Sequence, residues 1–183
     1  MDDMGPRVGA IGHTHVALRF TRNYLDVPLD PLFPFGAGLS YTTFAFSEPV
    51  VAASTLKGSD TLEVQVKITN TGPREGKEVA QLYVRDPVAS RSRPVRELKA
   101  FEKIALAPGE TRPLAFRVPV RELGFHLEDG TYVVEPGRFE VGVGGDSRAA
   151  LTASFEVTEG LRIPPHPPAP APGNKTRLPR SAR

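Results

Sequence analysis

Residues 61–69, TLEVQVKIT, alternate without a fault: Leu62, Val64, Val66 and Ile68 fall on one side, Glu63, Gln65, Lys67 and Thr69 on the other. Period two over that length is a strand with one buried face. The pattern recurs in VAQLYVR (Ala80, Leu82, Val84), PLAFRV (Leu114, Phe116, Val118), RFEVGVG (Phe139, Val141, Val143) and ALTASFEV (Leu151, Ala153, Phe155, Val157). FAFSEPVVA and ELKAFEKIAL read as weaker strands. Turn chemistry separates them: NTGP after Ile68, APGE at 107–110, EDGT at 128–131 and EPGR at 135–138. Strands at this spacing, with no stretch of helical period, predict an antiparallel sandwich. The expectation is therefore all-β: about seven strands over 44–157, of immunoglobulin or fibronectin type III size. Phe101, Phe116, Phe125, Phe139 and Phe155 are expected in the core, and Tyr83 is the main aromatic facing outward.

The flanks differ in composition. Residues 1–24 are an irregular lead-in. Residues 25–43 form a linker rich in Pro, Gly and aromatic residues, and 158–183 a proline-rich tail. Seven of the 19 prolines lie between Pro164 and Pro179, so the tail is expected to be disordered. Five of the 23 basic residues and none of the 21 acids lie in 160–183. The pI near 9.0 thus comes from the tail, not from a basic face on the folded part, and no nucleic-acid partner is expected. The chain has no cysteine, no apolar run of membrane-spanning length and no continuous apolar core near Met1. As written it carries no signal peptide and would stay in the cytoplasm, with no membrane partner.

The stretch 31–46, PLFPFGAGLSYTTFAF, holds five aromatic residues. Leu32, Phe33, Phe35, Leu39 and Tyr41 need a surface to cover. Flexible linkers are polar and Gly/Ser-rich, so either this segment packs between two folded bodies or its rings cap one end of the sandwich.

Candidate chemistry is sparse. His13 and His15 lack a third ligand nearby, so no metal is expected. Glu75, Glu78, Asp129 and Asp146 read as solvated turn residues. The glycine-rich 142–146 ends a strand and opens no helix, so it offers no phosphate site and no cofactor is expected. The single Asn174-Lys175-Thr176 sequon lies in the tail. One basic cluster, Arg91, Arg93 and Arg96, sits in a loop that either reaches a neighbouring domain or substrate, or is anchored and solvated.

YLDVPLDPLFPFGAGLSYTTFAFS (24–47) resembles the segment of glycoside hydrolase family 3, the β-glucosidase and β-xylosidase family, that leaves the catalytic region and enters a fibronectin type III-like domain. Phe33 stands where tyrosine is common. VKITNTGPREGKEVAQLYVRDPVASRSRPVRELKAFEKIALAPGET (66–111) and DGTYVVEPGRFEVGVGGDSR (129–148) are similar to that domain itself. The resemblance spans roughly residues 21–157. It implies that residues 1–24 hold a remnant of a preceding α/β domain and that Leu32, Phe33, Phe35, Leu39 and Tyr41 pack between domains. The partner would be the catalytic domains of a parent glycosidase, often an exported one. Retaining glycosidases need two carboxyl groups about 5 Å apart. In the family these come from upstream domains, so no catalytic residue is carried over and the chain alone is expected to be inactive. A free-standing carbohydrate- or protein-binding sandwich is the alternative, and it would need an aromatic platform on a strand face.

Overall fold

A computed structural model of the chain describes residues 31–165. The chain divides into two compact units, Met1–Leu32 and Phe33–Arg183; of the first, only Pro31 and Leu32 are described. The second unit is a β-sandwich. One sheet is built on β4 (Thr61–Asn70). One edge of β4 pairs first with β1 (Phe44–Phe46) and further along with β2 (Val50–Val51); the other pairs along nearly its whole length with β7 (Thr111–Pro119). The second sheet runs in the order β3 (Thr55–Lys57), β11 (Ala153–Glu159), β10 (Gly137–Gly144), β5 (Gly76–Arg85) and β6 (Glu97–Leu106). The turns at 71–75 and 107–110 each carry the chain from one sheet to the other, so β4–β5 and β6–β7 bridge the sandwich. A 3₁₀ turn, Val120–Leu123, follows β7.

The alternating positions read from the sequence form the core. Leu62, Val64, Val66 and Ile68 are buried in one cluster with Ala80, Leu82, Val84, Val141, Val143 and Val157, joined by Leu114, Phe116 and Val118 of β7. Phe139 and Phe155 sit opposite each other across β10 and β11, their rings stacked at 5.4 Å. Burying a side chain of this size contributes about 1.5–3 kcal/mol, so this layer dominates the stability.

Several expectations are corrected. Phe101 is 68% exposed: Ile104 and Leu106 set the inward phase of β6, and Phe101 takes the outward one. Phe125 is only half-buried. Tyr83, expected outward, is 2% exposed, and its neighbour on that face, Gln81, 4%, because other parts of the chain cover that face of β5. Leu151 precedes its strand and folds back against Gly142. A third, small sheet of β8 (Phe125–His126), β9 (Tyr132–Val134) and β12 (Leu161–Ile163) has no counterpart in the alternation of the sequence; it extends pairing past 157, into the segment expected to be disordered. The EDGT turn does join β8 to β9, with Leu127 N–H donating to the Thr131 carbonyl.

Candidate docking surface

Residues 34–41 lie on the outer face of the β5–β10 sheet. A turn closed by Ala37 N–H to the Pro34 carbonyl (3.0 Å) presses Gly36 onto Gln81. A Cβ at Gly36 would overlap the Gln81 amide, and Gly36 adopts φ +82°, so the position needs glycine on both counts. The loop after β10 folds over the same face. Its Ser147 N–H donates to the Phe35 carbonyl (2.9 Å), and Gln81 Nε2 donates to the Gly145 carbonyl (2.5 Å). Tyr83 O–H donates to Gln81 Oε1 (2.6 Å). Burial raises the Tyr83 phenol above its ordinary range; Asp146 adds to the rise and Arg96 opposes it. Gln81 is thus the peg to which strand, segment and loop are fastened.

A second fastening lies where the segment enters β1. Asn70 is fully buried. Its Nδ2 donates to the carbonyls of Arg74 (2.7 Å) and Leu106 (3.0 Å), and its Oδ1 accepts from Thr42 Oγ1 (2.7 Å) and Gly72 N–H (3.1 Å). All four capacities of the amide are filled. NTG reads only as a turn in sequence; nothing local announces that its asparagine joins β4, β6 and residue 42.

The backbone of this segment is bonded down while its apolar side chains point away. Phe33 is 77% exposed and Phe35 68%, and Leu32, Leu39 and Tyr41 are exposed as well. The reading in which these rings cap the sandwich finds no support in that geometry.

The basic loop between β5 and β6 behaves differently. Arg93 is turned inward. It donates from Nη2 to Glu97 Oε1 (2.5 Å) and from Nη1 to the Leu123 carbonyl (2.8 Å), and its guanidinium lies 5.1 Å over the Phe125 ring. Arg96 Nη1 donates to the Ala149 carbonyl (2.6 Å). Arg91 pairs with Glu128, and Ser90 is held by Glu135. Burial pushes the Glu97 carboxyl up, but hydrogen bonds from Lys99 and Arg93 outweigh it and hold the group below its usual range.

Of the carboxylates considered for chemistry, Asp129 caps Thr131 N–H, which lowers its pKa, and Glu75 is exposed. Glu78 and Asp146 do come together, beside an open groove of about 470 Å³ lined also by Ser40, Thr42 and Phe44. Burial raises the Glu78 carboxyl, and the Asp146 charge adds to it. Asp146 accepts from Arg148 N–H (2.7 Å). Among the described residues, no three His, Cys, Asp or Glu side chains are grouped to hold a metal ion. His13, His15 and Asn174 lie outside the described residues.

The described residues form a two-sheet sandwich with an apolar segment bonded to its outer face. Residues 78–147 match the family described as the fibronectin type III-like domain. The chain is 43% identical over 139 residues to a periplasmic β-glucosidase of Salmonella typhimurium, covering 76% of this chain and 18% of that protein. It is 46% identical over 128 residues to a β-xylosidase of Formosa agariphila, covering 70% of this chain and 18% of that protein. The solved β-glucosidase 3B of Thermotoga neapolitana, in complex with glucose, superposes with a TM-score of 0.67 at 43% identity over 74% of this chain and 19% of that one. The chain is therefore the counterpart of the C-terminal fibronectin type III-like module of family 3 glycoside hydrolases, and it spans about a fifth of the length of the relatives it matches. Among the described residues, no helix is long and apolar enough to cross a membrane.

Proposed function

We propose that the chain is a non-catalytic packing module whose partner is the catalytic domains of a family 3 β-glycosidase, an enzyme that hydrolyses terminal β-glucosides or β-xylosides in carbohydrate metabolism. The observation that carries this reading is the segment 33–41: its backbone is fastened to the sheet while Phe33, Phe35, Leu39 and Tyr41 face solvent. A chain gains from holding such rings rigid when another body covers them. The periplasmic relative supports an exported parent. The Arg91–Arg96 loop serves the module itself, since Arg93 and Arg96 are committed to Glu97, Leu123 and Ala149.

The test exchanges the matching fifth of the Thermotoga β-glucosidase for residues 31–183. The chimera is expected to hydrolyse p-nitrophenyl β-glucoside and to melt well above the same enzyme lacking any module. The 183-residue chain alone is expected to show no turnover. Turnover by the chain alone, or a module-less enzyme as stable as the chimera, would overturn the reading.

A further inference from the structure

We propose that the docking surface extends beyond residues 33–41 onto the sheet itself, with Phe101 of β6 as its second anchor, and that its occupant is the catalytic domains of a family 3 β-glycosidase. This inference rests on the packing role proposed above. Phe101 pairs across the strands with Gln81, and Gln81 in turn pairs with Gly144. Phe101 therefore shares the outer face on which Gly36 and the 145–151 loop rest. Directly opposite side chains on one face lie about 5 Å apart at Cβ. The Gln81 amide reaches Gly145 on the β10 side, while Phe101 flanks Gln81 on the other. Neighbouring positions on this face, Val79 and Leu98, are half-buried and apolar.

A 68% exposed phenylalanine at mid-strand is an anomaly on a solvated face, which elsewhere on this domain carries Glu, Gln, Lys and Arg. It shares that face with Gln81, on which Gly36 rests, one residue after Phe35. The relatives' length selects the occupant: the match spans 18% of the Salmonella and Formosa proteins, so most of each lies outside it. Phe33 begins the described unit, and it lies two residues before Phe35, which is bonded to the loop on this face. A second copy pairing along the free edge of β6 is disfavoured by Lys99, Glu102 and Lys103 on that strand, which obstruct strand addition. The face is open to a packed body, whereas the edge is guarded.

The chain has no cysteine, so single cysteines report burial without background from the module. Phe101→Cys, Phe35→Cys and Gln65→Cys (the last exposed on the opposite sheet) are labelled with a maleimide in the 183-residue chain and in the chimera described above. Labelling is read at each peptide by mass spectrometry. Activity of the chimera and circular dichroism of the chain confirm folding of each variant. The thiols introduced at positions 101 and 35 are expected to react roughly tenfold more slowly in the chimera than in the chain, with the thiol at position 65 equal in both. Protection at position 35 without protection at position 101 overturns this inference and leaves the packing role standing. Protection at neither position overturns both.

Discussion

At the scale of single residues, two side chains decide how the apolar segment is held and what holding it costs. Asn70 is fully buried with four bonded partners, so an apolar replacement strands a hydroxyl, an N–H and two carbonyls. Asn70→Ala should cost on the order of 2–4 kcal/mol, read by urea denaturation, because orphaned buried groups keep their full desolvation penalty. An Asn70 substitution without effect would mean that the three chain segments are held by packing alone. Glu78 works against the fold. Burial raises its pKa, so its folded value lies above its unfolded one. The protonated form is then favoured by folding, and that contribution, present below the unfolded pKa, is lost as pH rises through the folded value. Glu78→Gln should therefore raise the melting temperature at pH 7, with the gain shrinking toward about pH 4. A loss of stability at pH 7 would show instead that the carboxylate is needed there.

At the scale of elements, the apolar segment and the basic loop are both held to the sandwich, by different contacts. Residues 34–41 of the glycine- and proline-rich segment are bonded to the sheet, and Gly36 is the point of closest approach. Gly36→Ala sets a Cβ against the Gln81 amide at φ +82°, so a loss of at least about 1–2 kcal/mol in chemical denaturation is expected from the backbone conformation alone. The arginine loop is an internal brace. Arg93→Ala leaves the Leu123 carbonyl and part of Glu97 unpaired and should destabilise the chain by about 2–4 kcal/mol in thermal or chemical denaturation. An Arg93→Ala chain of unchanged stability would return the arginine to the role of an outward contact. The depressed Glu97 carboxyl gives this brace a pH dependence of the opposite sign to that of Glu78: its contribution is present above the unfolded carboxylate pKa and is lost as pH falls through the lower folded value. Alternation makes β4 and β7 legible, because each has one buried face. It fails on β5, whose second face is covered by residues 45 and 64 positions away in sequence, and no strand pattern records such a cover. The strands β8, β9 and β12 have two or three residues each, too few for a period to show. Phe101 is legible in principle: Ile104 and Leu106 fix the phase that turns it outward, and reading every phenylalanine as core ignores that phase.

At the scale of the whole molecule, the described unit has one apolar layer inside and a second apolar patch outside. The first accounts for folding. The second is exposed in this chain and is what the proposed catalytic partner would cover; the match spans 18% of the Salmonella and Formosa proteins. The surface is legible in the sequence as an aromatic cluster, but its two possible uses separate only once the direction of the rings is known. The most direct measurement is made on the 183-residue chain itself, comparing the parent sequence with Phe33→Ser/Phe35→Ser by solubility and thermal melting. If these rings await a partner, the double variant melts at the same temperature and is more soluble, since a sticky patch has gone and no core contact with it. A lower solubility with a clear fall in melting temperature would contradict the account, because it would place both rings in the chain's own core.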